Sequence, residues 1–310
     1  MSNRFRPAWL LVLAALSTSA LAKAPETVNI GYQKANIFAL LKYRGTLDES
    51  LKKQGIAVRW VEFPAGPQML EGLNVGSIDL AATGDAPPAF AQADLVYLAH
   101  SPANPKTEAI VVPEQSAIHS VADLKGKRVG LNKGSDVNYL LVAALEKAGL
   151  SYKDITPVYL PPADARAAFQ RGAIDAWVIW DPFLAEVETN AKARQIRNAE
   201  GLVPHYTFYL ASRKFADTYP ETAKQVVDEL GKLSAWANSH QDEAAGLLST
   251  STGLDKAIWQ KTLARLPYGA ERMTPAVYNE QQALADTFTR IGLLPVKVDV
   301  RSATWSLDKP

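Results

Sequence analysis

No cysteine occurs in the 310 residues. That absence removes disulfides, thiolate metal ligands, a thiol nucleophile and a lipid-bearing anchor cysteine together. Histidine is scarce: the four, His100, His119, His205 and His240, are scattered with no HExxH pattern and no pair at metal-ligand spacing, so no metal is expected. GxSxG is missing, which excludes a nucleophile elbow. Gly126-Lys127-Arg128 lacks the rest of a phosphate-binding GxxxxGK[ST] loop and reads as a turn before a strand. Net charge is only +1, with Lys and Arg spread among acids, so neither a nucleic-acid patch nor a polybasic membrane face is visible. Repeats of fixed period and low-complexity tracts are absent as well. Catalysis and a resident cofactor both lack residues to carry them, which leaves binding.

The first residues read as an address. Arg4 and Arg6 precede an apolar run from Ala8 to Leu16, and Ala20-Leu21-Ala22 offers small residues for cleavage. The run is well short of the ~20 residues needed to cross a bilayer. A signal peptide over residues 1–22 is expected, with a freely diffusing mature chain beginning near Lys23. Its length exceeds what one ordinary core needs, so two lobes are expected.

Short β-type runs alternate with helical patterns: 28–32 then 37–44, 58–63 then 67–75, 78–83 then 87–92, and 95–99. The rhythm resumes with strands at 109–112 and 128–131, a helix over 137–148, a strand at 155–159, a helix over 163–171, a strand at 176–180 and a helix from Pro182. This is βαβ order, and it predicts an α/β fold with a mainly parallel sheet in each lobe. Apolar runs at 108–112 and 206–210, each beside a loop, read as paired hinge strands. Lobe one would then occupy 23–108, lobe two 109–205, and the chain would return to lobe one over 206–310. From Ser212 onward helical spacing dominates, at 221–238, 242–248, 255–263 and 276–291.

Three strand-to-helix corners carry small or polar residues: Gly31-Tyr32-Gln33, Ala82-Thr83-Gly84-Asp85 and Asn132-Lys133-Gly134-Ser135. Such corners sit at the carboxyl ends of strands, where open α/β sheets bind ligands. Helix starts offer unpaired N–H groups and positive partial charge, which suits an anion. Taken singly, each corner reads first as an ordinary helix cap, at Thr83 or at Ser135, and a cap still leaves other N–H groups free. Trp180-Asp181 lies at another strand end, where Trp180 either touches a ligand or packs in the core beside Trp177.

The phrases Ile30-Gly31-Tyr32-Gln33-Lys34, the run from Trp60 through Pro64-Ala65-Gly66-Pro67 to Glu71, Thr83-Gly84-Asp85-Ala86-Pro87-Pro88 and Trp180-Asp181-Pro182 resemble the aliphatic sulfonate-binding proteins of bacterial ABC importers. The resemblance runs from about residue 28 to Arg301. It implies a type II periplasmic-binding fold, two lobes joined by two hinge strands with C-terminal helices. It further implies a small sulfonate anion held between the lobes and delivery to a membrane permease. The signal peptide without an anchor cysteine points to a periplasmic location, a clamshell that must present both lobes to its permease is expected to be a monomer, and no cofactor is expected. Carried over by position, Gln33, Thr83, Gly84 and Asp85 would line the first lobe's side of the site. Gly134, Ser135, Asn138 and Tyr139 would line the second's, with Trp180 and Asp181 at the closing seam.

A sulfonate stays ionised, so the site needs donors: the Gln33 and Asn138 amides and the N–H groups of Gly84 and Ser135 are the candidates. Asp136 departs from the pattern, which has a neutral residue there, and its charge would repel a sulfonate oxygen. It is expected either to turn outward or to meet an amine on the ligand. Taurine, nitrate, a sulfate ester or a thiamin precursor are rival ligands, and presentation to a membrane sensor is a rival role.

Overall fold

The computed structural model of the chain describes residues 24–34, 36–91 and 93–308, and the expected signal peptide lies outside them. Strands β1 (Thr27–Tyr32), β2 (Ala57–Glu62), β3 (Leu80–Thr83) and β4 (Leu95–His100) alternate with helices α1 (Ile37–Arg44), α2 (Thr46–Lys52), α3 (Gly66–Asn74) and α4 (Ala86–Phe90). There follow β5 (Glu108–Pro113), β6 (Arg128–Leu131), α5 (Asp136–Lys147), β7 (Thr156–Tyr159), α6 (Pro162–Gln170), β8 (Ala176–Trp180), α7 (Phe183–Asn190) and β9 (Ala193–Asn198). After β10 (Phe208–Ser212) the tail is helical: α8 (Arg213–Thr218), α9 (Pro220–Ser239), α10 (Gln241–Thr252), α11 (Lys256–Leu263) and α12 (Pro275–Arg290).

Two five-stranded sheets result, in the orders β2-β1-β3-β10-β4 and β7-β6-β8-β5-β9. In each, the first three strands are parallel and the fourth runs against both neighbours. The molecule is therefore a two-lobed α/β fold with mainly parallel sheets. Central strands are buried on both faces, as β8 with its Ala-Trp-Val-Ile-Trp run shows. Trp177 packs wholly inside lobe two, tilted against Phe169 at 6.0 Å. Each such side chain contributes about 1.5–3 kcal/mol relative to exposure.

The hinge differs from expectation. β5 and β10 do not pair with each other; each is the antiparallel fourth strand of a different sheet. The reason is burial: residues 108–112 and 208–211 are buried on both faces, which suits a sheet interior rather than an exposed linker. What pairs instead is the chain between the sheets. Ser101 N–H donates to Thr207 O at 2.8 Å and Asn104 N–H to His205 O at 2.9 Å, while Thr207 N–H donates to Ser101 Oγ at 2.9 Å.

The tail packs on both faces of the first sheet, α9 to α11 with α1 on one side and α12 with α3 and α4 on the other. It also reaches lobe two. Lys261 and Arg265 meet Glu188 of α7 at 2.8 and 2.6 Å, and Arg290 meets Glu146 of α5 at 2.9 Å. Among the described residues no helix is long and apolar enough to cross a membrane.

Candidate functional site

Strand ends and both crossings converge on one cleft between the sheets. The space between its walls is about 700 Å³ with the open mouth and its solvent included. Lobe one contributes the β1–α1 corner with Gln33, Asn36 and Ile37, and the β3–α4 corner with Ala82, Thr83 and Gly84. Lobe two contributes Asp136 at the start of α5 and Trp180-Asp181 at the end of β8. Ser101, Asn104, Thr107, His205 and Thr207 come from the crossings, Tyr209 from β10, and Leu266, Pro267 and Tyr268 from the loop after α11.

Local hydrogen bonds hold these groups in place. Asn36 caps α1 by accepting Phe38 N–H at 3.0 Å and donates to Ala82 O at 2.8 Å, which ties the two lobe-one corners together. Asn238 donates to Tyr268 O and Tyr209 donates its hydroxyl proton to Gly269 O, at 2.9 and 2.7 Å. Those bonds fix the 266–269 loop under the cleft. The Tyr268 hydroxyl itself is buried without a hydrogen-bond partner among the described residues. Among the same residues the Gln33 amide bonds to no protein group, so it too is free to serve a ligand. Asp181 accepts Ala185 N–H at 2.9 Å and so anchors the start of α7 as well as facing the cleft.

Of the residues singled out by sequence, Gln33, Thr83, Gly84, Trp180 and Asp181 line the cleft. Asp85, Gly134, Ser135, Asn138 and Tyr139 lie off it. Asp85 sits behind the wall, its carbonyl accepting from Gln281 at 2.6 Å. Asn138 is spent on its own turn and on Tyr152, accepting from Gly134 N–H at 3.1 Å and donating to the Tyr152 hydroxyl at 3.2 Å. Ser135 donates its hydroxyl proton to Asn132 O at 2.7 Å, and Tyr139 tilts against Phe288 at 5.7 Å. Neither Thr83 nor Ser135 makes a side-chain cap. The start of α4 is a poor anion site because Pro87 and Pro88 have no N–H. Sequence reasoning missed the crossing residues and Tyr268, since no motif or period marks them; His205 was noticed only as one of four scattered histidines.

Electrostatically the cleft is unusual for an anion. Its lining carries the carboxyls of Asp136 and Asp181 and no Lys or Arg. Asp136 does not turn outward: it faces the cleft and presses on Gly84, where an added Cβ would fall 2.6 Å from its Cγ. Glycine is needed there for the lobes to approach this closely. Behind Asp136 lies Glu108, fully buried at the start of β5. His205 Nδ1 stands 3.3 Å from Glu108 Oε2 and 3.6 Å from Asp136 Oδ2. His205 holds a left-handed backbone at φ 52, a conformation uncommon for a residue with a side chain.

Burial raises the affinity of these carboxyls for protons. Glu108 is pushed well up by desolvation and then by Asp136 and Asp85, and Asp136 is pushed up by desolvation. Desolvation and the nearby Asp136 raise Asp85 to about 8. His205 is pushed down by burial, which favours the neutral ring. Asp181 rises to about 7 through desolvation; the Arg265 guanidinium, 3.4 Å away without a hydrogen bond to it, offsets only part of that.

Similarity to known proteins bears on this arrangement. The family model described as NMT1/THI5 like matches residues 51–244. The alkanesulfonate-binding protein SsuA of Xanthomonas axonopodis pv. citri, solved bound to MOPS, is 43% identical, with a TM-score of 0.87 over 92% of this chain and 99% of that one. The periplasmic aliphatic sulphonate binding protein SsuA of Escherichia coli is 42% identical, with a TM-score of 0.82 over 91% of this chain and 93% of that one. A taurine-binding periplasmic protein of Escherichia coli (strain K12) is 29% identical over 220 residues, 69% of this chain and 67% of the relative.

Proposed function

The chain belongs to the family of aliphatic sulfonate-binding proteins, and from that premise we propose that it captures aliphatic sulfonates in the cleft between its lobes and delivers them to an ABC importer. One observation carries the reading to the residues: the cleft pairs free amide and hydroxyl groups with an apolar wall and offers no Lys or Arg to fix an anion permanently. A sulfonate has no proton to give, so it asks only for donors. Gln33, the Tyr268 hydroxyl and the Gly84 N–H are the donors we assign to its oxygens, and Ile37, Trp180, Leu266 and Pro267 form the wall for its tail. Neutral donors hold an anion while the lobes are closed and let it go when they open, because no buried ion pair must be broken.

In this reading residues 23–108 and 206–310 move as one body against 109–205, flexing at the two crossings. The protein works as a periplasmic monomer after removal of residues 1–22, and a membrane permease receives the ligand. The test is a thermal-shift titration of the mature protein against ethanesulfonate, longer alkanesulfonates, taurine, sulfate and nitrate, since a ligand that binds only the folded state raises its melting temperature. A saturable shift with alkanesulfonates supports the proposal. A shift confined to taurine, sulfate or nitrate keeps the fold and moves the ligand, as the carboxyls of Asp136 and Asp181 would favour for an amine-bearing sulfonate.

A further inference from the structure

We propose that Glu108, Asp136 and His205 bind one divalent transition-metal ion of the zinc class at the hinge, directly behind the ligand cleft. The three residues come from the start of β5, the start of α5 and the second crossing, and their ligand atoms all lie within 4.8 Å of one another. The separation of 3.3 Å from His205 to Glu108 matches, and that of 3.6 Å from His205 to Asp136 slightly exceeds, the roughly 3.3–3.4 Å edge of a tetrahedron with bonds of about 2.0–2.1 Å. Imidazole nitrogen with carboxylate oxygen is a donor set that suits such an ion.

A second observation points to the same place. Both Glu108 oxygens and His205 Nδ1 are buried without a hydrogen-bond partner among the described residues, and exposure is 0% for Glu108, 6% for His205 and 8% for Asp136. Among the described residues no Lys or Arg pairs with either carboxyl. Buried polar groups are normally satisfied and buried charges normally paired, so this cluster needs either a proton held between Glu108 and Asp136 or a cation, and only a metal ion also uses the lone pair of a neutral His205. An ammonium group on a ligand would reach Asp136 from the cleft but not the fully buried Glu108. A divalent ion answers all three, since two carboxylates and a neutral histidine then sum to zero. It would also remove the repulsion between Asp136 and a bound anion. Asp136 and His205 both line the cleft, so the site opens toward the ligand.

The experiment is isothermal titration of tag-free, chelator-stripped mature protein with zinc chloride, and separately with manganese chloride, at fixed pH without any sulfonate. One saturable site per chain is expected, weakened at least tenfold in Glu108→Gln and in His205→Gln. Because Glu108→Gln replaces a buried carboxyl with a neutral group of the same size, it should fold, and its melting temperature without metal should equal or exceed that of the parent. In that variant the rise in melting temperature produced by zinc should vanish. No saturable uptake by the parent, or uptake unchanged in both variants, overturns the proposal. The readout is independent of sulfonates, so loss of this site and loss of the sulfonate reading are separable by repeating the ethanesulfonate shift in the presence of chelator.

Discussion

The two lobes share one strand plan and differ in what they bring to the cleft. In each sheet two parallel strands flank the lobe's first parallel strand, and an antiparallel strand follows as the fourth. The β1–α1 corner therefore corresponds to β6–α5, and β3–α4 to β8–α7. Lobe one fills its corners with neutral groups, Gln33 and Asn36 at the first and Thr83 and Gly84 at the second. Lobe two puts Asp136 at the first and Trp180-Asp181 at the second. Topology decides where side chains converge, and residue type together with burial decides the charge they present. The negative half of the cleft then has to be balanced by protons, by a cation or by the ligand.

The largest expected effect comes from removing the closeness of the halves. Gly84→Val places a side chain on the Asp136 carboxyl, so ethanesulfonate affinity should fall more than tenfold by calorimetry. Adding Asp136→Ala should restore part of it; independent losses from the two changes would mean that this contact does not limit closure. Next is Gln33→Ala, which strips lobe one of its free amide. Hydrogen bonds to charged groups are worth about 1.5–3 kcal/mol, so a loss of roughly tenfold or more is expected. The melting temperature of the ligand-free variant should stay within about 2 °C of the parent, and a larger drop would make Gln33 structural.

A third prediction probes lobe two's acid. The Asp181 carboxyl is raised from the ordinary 3.8 to about 7 in the folded chain. The folded state therefore holds a proton that the unfolded chain releases, and this contribution is complete below about pH 4 and lost as pH rises through about 7. Melting temperature without ligand should fall by a few degrees over that window, and the fall should be shallower in Asp181→Asn. Identical slopes would place the titration elsewhere. The smallest effect concerns the tie between the tail and lobe two. Glu188 holds both Lys261 and Arg265, and with pairs of this kind worth up to about 1 kcal/mol, Glu188→Gln should weaken sulfonate binding only a few-fold. An unchanged affinity would remove this contact from closure.

Periodicity made most of the fold legible, because βαβ order writes itself as alternating short apolar runs and amphipathic stretches. It failed where burial is partial. β9, Ala-Arg-Gln-Ile-Arg-Asn, is a half-buried edge strand whose polar residues carry no strand signal, and α2 and α8 are too short to show a period. Strand-end logic likewise pointed to Gln33, Thr83, Gly84, Trp180 and Asp181, which line the cleft. It also pointed to Ser135, and the resemblance to Asn138; both lie off the cleft lining with local hydrogen bonds, and bonds that close a turn look the same in sequence as donors left open for a ligand.

The amino-acid sequence by itself determined most element types, the two-lobe plan and the family, since each follows from local pattern or from phrases read in order. Only the tertiary structure decided which strands enter which sheet, that Asp136 faces inward against Gly84, and that Glu108 and His205 meet it behind the cleft. Those three residues are far apart in the chain and in different elements, and nothing local records that folding strips water from all of them at one point. Burial and proximity, not residue identity, set their chemistry.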